Sequence, residues 1–140
     1  MIMRLFQKKP KVEKDDPVFG RIVFEPIHGV DIWCHLPADD QDHMVNILAP
    51  STGSSQAQRD FYASLRNDLA SRESECKAFI RTSEEPSADP SDLTLYSVEV
   101  GTEDDIAEGQ FVIELSDQDA IEIHRVEFRN SRPENYGVDD

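Results

Sequence analysis

The stretch from Gln56 to Arg81 is the one place in this sequence where apolar residues recur with a helical period, and three short β-rich runs stand on either side of it. Phe61, Leu65, Leu69, Arg72, Cys76 and Phe79 or Ile80 step by three or four, an apolar stripe with one charged interruption at Arg72. Pro50-Ser51-Thr52-Gly53-Ser54-Ser55 punctuates the entry, with Ser54 or Ser55 as the N-cap. A single helix between two β triplets does not supply the repeated crossovers of a doubly wound parallel sheet. The pattern predicts an α+β fold, a mostly antiparallel sheet in the order βββ-α-βββ, about six strands in all, with one long helix packed on one face.

The strand runs are Val18 to Glu25, Val30 to Leu36 and His43 to Ala49 before the helix. After it come Leu93 to Val100, Gln110 to Ser116 and Ile121 to Phe128. Glu25-Pro26-Ile27-His28-Gly29 supplies a turn after the first run, and Pro37-Ala38-Asp39-Asp40-Gln41 a loop after the second. Thr82 to Asp92 contains Pro86 and Pro90 and has no periodicity, so it reads as a surface loop. Gly101 to Gly109, carrying Glu103-Asp104-Asp105, and Asp117-Gln118-Asp119 read as acidic reversals.

Charge divides the chain. Residues 1 to 14 hold five basic side chains against Glu13 alone, a net of +4, whereas residues 15 to 140 carry −19, so the whole-chain value of −15 understates the acidity of the body. The expected organisation is a basic flexible tail over residues 1 to 16 and a single α+β domain over 17 to 140, with the boundary near Pro17. Such a body repels nucleic-acid phosphate and anionic lipid and attracts basic protein surfaces. Cys34 and Cys76 are isolated, without a CxxC spacing, which suits reduced thiols and a cytoplasmic location better than a disulfide framework. Met1 to Phe6 is too short a run for a signal peptide, and no apolar stretch is long enough to span a bilayer, so no membrane partner is expected.

Few residues carry candidate chemistry. A hairpin loop centred on Asp39 sets His35 opposite His43, and neighbouring imidazoles hold zinc or copper when Asp42 or His28 adds a third ligand. A stable site needs three or four converging ligands, so no metal is assigned. Cys34 diverges from His35 because successive strand residues point to opposite faces, which leaves no nucleophile with its base. Adjacent carboxylates in loops lack the across-cleft geometry of acid and base, and no Walker A or GxGxxG loop occurs. No catalytic residue and no cofactor are assigned.

In the same register Trp33 shares a strand face with Asp31 and His35, opposite Val45 and Ile47. With the helix on the Ile32, Cys34 and Leu36 face, Trp33, Val45 and Ile47 form an apolar island in an acidic surround, the usual composition of a protein interface. Cover by the 82 to 92 loop or by the C-terminal segment is the alternative. The candidate interface is therefore Trp33, His35, Val45 and Ile47, with Glu103, Asp104 and Asp105 as its acidic part.

Asp16-Pro17-Val18-Phe19-Gly20-Arg21-Ile22-Val23-Phe24 as an opening strand, Trp33 in the second strand, the Gln56 to Arg81 helix, the closing Val126-Glu127-Phe128-Arg129-Asn130 and the Asp139-Asp140 end resemble a family of small acidic bacterial domains, some immunity-like proteins beside polymorphic toxins. The resemblance spans residues 16 to 140, with Asp-Pro-x-Phe-Gly as its specific element and the Pro-containing Glu84 to Asp92 stretch as its departure. It implies an intracellular binding protein that neutralises a toxin, and no catalytic residues. Together with the charge it leads to the expectation of a cytosolic protein-binding domain, an immunity or inhibitor protein for a partner with a basic surface. The alternatives are a DNA-mimic regulator, a homodimeric structural subunit built on the Trp33 face, and a metal-dependent hydrolase built on His35 and His43.

Overall fold

A computed structural model of the protein describes residues 12–35, 37, 43–83, 89–117 and 122–139. Among the described residues eight strands form one sheet in simple chain order. They are β1 (Glu13–Asp16), β2 (Gly20–Phe24), β3 (Ile32–His35), β4 (Met44–Leu48), β5 (Thr94–Val100), β6 (Phe111–Ser116), β7 (Ile123–Arg129) and β8 (Arg132–Asp139). Neighbours are antiparallel except β4 and β5, which are parallel. The helices are α1 (Gln56–Arg66) and α2 (Leu69–Arg81), which together form the β4–β5 crossover, and α3 (Glu103–Ala107) between β5 and β6. The expected six-stranded βββ-α-βββ sheet with one long helix is thus corrected, among the described residues, to an eight-stranded mixed sheet with three α-helices.

Each departure has a local cause. The expected long helix breaks at Asn67 and Asp68, residues whose short polar side chains compete for backbone hydrogen bonds; Asp68 sits at φ −122°, outside helical geometry. Thr102 caps α3, accepting from Asp105 N while the Asp105 carboxylate accepts from Thr102 N, so Glu103-Asp104-Asp105 is a helical turn and not a loop. Asn130 and Ser131 both adopt positive φ, 52° and 60°, the two-residue turn that joins β7 to the polar edge strand β8. At the opposite edge β1 pairs Glu13 with Val23 and Asp16 with Gly20, so the sheet begins within the stretch expected as a tail.

Asp16 explains the opening motif. Its carboxylate accepts from Val18 N at 2.9 Å and Phe19 N at 3.0 Å, closing the β1–β2 reversal, and Gly20 completes it at φ 77°. Ser54 Oγ donates to the second carboxylate oxygen, with Arg59 Nη1 at 3.9 Å. Gln58 ties the crossover to the strand ends: it forms a capping box with Ser55 and donates to the carbonyls of Leu48 and Gly101, both at 2.8 Å.

The core lies between the helices and one face of the sheet. Trp33, Val45, Ile47, Val98, Val100, Ile113 and Val126 from the strands meet Tyr62 and Leu65 of α1 and Cys76 and Ile80 of α2, and Ile106 of α3 packs on the same cluster. Trp33 is 1% exposed and donates from Nε1 to the Pro50 carbonyl at 2.7 Å. Arg72, the charged interruption in the stripe, lies over the stacked rings of Phe111 and Phe128, at 5.6 and 5.7 Å from their centroids, and donates to the Ser131 carbonyl. That hairpin turn is also closed by Gly109, whose carbonyl accepts from Ser131 N at 3.0 Å.

Candidate functional site

All three helices contribute to the Trp33 side of the sheet, which reverses the expected orientation. Trp33, Val45 and Ile47 are core residues, not an exposed island. The larger aromatic side chain fills the space under the helices. Ile32 and Cys34 point to the other face and are partly exposed, while Leu36, expected beside them, lies outside the described residues.

The two histidines do not face each other. His35 pairs with Val45. Its Nδ1 donates to the Arg21 carbonyl at 3.1 Å, whereas His43 Nε2 shares a 2.9 Å hydrogen bond with Tyr62 Oη on α1. Among the described residues no group of three or more His, Cys, Asp or Glu side chains is placed to hold a metal ion, and Asp42, one expected third ligand, lies outside them. Glu103 and Asp104 project from the first turn of α3 and are exposed, and Asp105 is occupied by its cap.

The sheet face opposite the helix-packed core carries a cluster of charge. Register places Cys34, Asn46, Glu99, Val112, Glu127 and Asn135 side by side in one continuous row from β3 to β8. The adjacent row is Met44, Ser97, Glu114, Arg125 and Gly137. Arg125 stands among three glutamates, with Nη2 3.2 Å from Glu99, Nη1 3.8 Å from Glu114 and Nε 3.6 Å from Glu127. Ser97 Oγ donates to Glu114 from the next strand. These contacts link the three carboxylates through one guanidinium, and each partly exposed pair contributes about 0–1 kcal/mol to stability.

A groove of about 310 Å³ follows this face from Leu48 and Gly101 to Glu134 and Asn135. Glu99, Asp105, Glu127 and Glu134 line it together with Arg125 and Arg129, and the irregular β7–β8 register leaves Glu134 unpaired beside it. Of the residues expected from sequence, the groove therefore takes only Asp105. Glu99, Glu114, Arg125 and Glu127 were legible as the polar positions of alternating strands, a signal that marks a solvated face without saying that several strands align their charges.

Compared with known proteins, the chain matches no family model, no curated protein and no solved structure.

Proposed function

We propose that this protein is a cytoplasmic protein-binding domain that lays its uncovered acidic sheet face over a basic surface of another protein, acting as an immunity or inhibitor protein for a basic toxin enzyme. The observation that carries the reading is the clustering of Glu99, Glu114 and Glu127 on three adjacent strands of the face opposite the helix-packed core. Carboxylates in that arrangement steer a basic partner from a distance and then meet it without first having to be ordered. Cys34 and Cys76 are not joined in a disulfide, which fits a reducing compartment. Among the described residues no helix is long and apolar enough to cross a membrane.

Arg125 at the centre of the rows favours a protein partner over DNA mimicry, since a cation in that position breaks a phosphate-like pattern. The test is capture of partners from the native cell lysate at low and at high salt. A stoichiometric basic protein, released at high salt and enzymatically silenced in the complex, is the expected result. Recovery of the protein alone at low salt contradicts the reading.

A further inference from the structure

The uncovered face has two halves with different chemistry. On β5 to β7 its outward positions are mostly polar, Glu99, Glu114, Arg125 and Glu127 with the buried Ser97, and Val112 is a buried apolar residue among them. On β3 and β4 the alternation fails: Ile32, Cys34, Met44 and Leu48 point outward from strands whose inward residues are Trp33, Val45 and Ile47. Strands apolar on both sides belong to sheets covered on both sides. Here the helices contribute to one side only, and Ile32, Cys34, Met44 and Leu48 are all partly exposed.

We infer that the β3–β4 half and the carboxylate rows are one docking surface for a basic amphipathic segment of a partner protein. Its apolar side chains rest on Ile32, Met44 and Leu48, and its Lys and Arg side chains meet Glu99, Glu114 and Glu127. The inference rests on the proposed function and adds the contact chemistry of the partner. Two observations select this occupant. Asn46, which lies between Met44 and Leu48 on the same face of β4, pairs directly with Glu99 on β5, so both apolar residues are diagonal neighbours of the first carboxylate, about 8 Å away and within reach of neighbouring side chains of one segment. A second copy of the chain, at a net charge of −15, brings like charge against the carboxylate rows, whereas a basic segment is complementary to them.

The test uses the full chain and two synthetic peptides of equal length and equal arginine content, one with leucines between the arginines and one with serines, titrated by calorimetry at low salt. The leucine peptide should bind at least about tenfold more tightly, the effect of burying one or two apolar side chains. Met44→Gln/Leu48→Gln should erase that preference while leaving the serine peptide unchanged, and Glu99→Gln/Glu127→Gln should weaken both. If the double apolar variant does not fold, Ile32→Thr, a strand-compatible change, takes its place. Equal binding of the two peptides, or a preference that survives the apolar substitutions, overturns the inference and leaves the acidic-face reading standing. Binding of neither peptide overturns both. Concentration-dependent dimerisation that these substitutions abolish assigns the patch to a second copy and also overturns the inference.

Discussion

Arg125 on β7 reaches past Glu114 on β6 to Glu99 on β5, where its Nη2 lies 3.2 Å from the carboxylate. One side chain thus bridges three strands on the face opposite the helix-packed core. Arg125→Met keeps the apolar stem and removes the charge, leaving Glu99, Glu114 and Glu127 to repel one another. The variant should fold and be less stable by about 1 kcal/mol at low salt, with the difference shrinking as salt screens the repulsion. Urea unfolding at two salt concentrations measures this; wild-type stability at low salt would mean that the guanidinium does not restrain the rows.

Asp16 gives the fold a pH dependence of known sign. Burial alone raises its pKa, but the Phe19 N–H, the Ser54 hydroxyl, the Val18 N–H and the Arg59 charge together hold it below the usual 3.8. A carboxylate with a lowered folded-state pKa stabilises the fold above its unfolded pKa, and that contribution is lost as pH falls through the folded value. Asp16→Asn should cost about 1–3 kcal/mol at neutral pH, and its deficit relative to wild type should narrow in acid below the unfolded carboxylate range. Unfolding curves at neutral and acid pH test it; a deficit independent of pH would remove the charge from the account.

A Cβ at Gly109 would stand 2.6 Å from Ser131 N, and the residue sits at φ 65°. Gly109→Ala should therefore destabilise the protein by about 1–3 kcal/mol, through both strain and displacement of the β7–β8 turn. Gly137→Ala is the control, since nothing lies within 4 Å of its added methyl and its φ is ordinary. Thermal unfolding should lower the midpoint for the first variant and leave the second near wild type. Equal effects would contradict the packing of Gly109 against that turn.

Cys76 is 0% exposed, and burial, with Glu75 and Glu73 adding to it, pushes its thiol up to about 12. Cys34 is partly exposed. In the folded protein at neutral pH an alkylating reagent should label Cys34 and leave Cys76 intact, and denaturation should release both. Peptide mass mapping identifies the site. Labelling of Cys76 at the same rate as Cys34 would place α2 in a looser contact than the core requires.

These residues also show what the sequence makes legible. The apolar runs coincide with β2 to β7 because each strand buries side chains against the helices. The edge strands β1, Glu-Lys-Asp-Asp, and β8, Arg-Pro-Glu-Asn-Tyr-Gly-Val-Asp, escape that signal because an edge needs one neighbour and little burial. Thr102 and Asp105 carry a capping pattern that marks α3, and Asn67-Asp68 a break, but both are short polar signals inside stretches whose general character points elsewhere. The reversed sheet face has a different origin. With Ile32 and Cys34 on one side of β3 and Trp33 on the other, apolar character alone does not tell which side the helices cover. The aligned glutamates were hidden for a third reason, since they come from three strands and meet only through long-range register.

Binding should depend on where the carboxylates lie and not only on how many there are. Capture of the basic partner at low salt should be compared for the wild type, for Glu99→Lys/Glu127→Lys on the uncovered face, and for Glu103→Lys/Asp104→Lys on α3, which makes the same change in net charge at exposed positions. With folding verified by circular dichroism, the partner should be lost in the sheet-face variant and retained in the α3 variant. Equal loss in both, or retention in both, would contradict it.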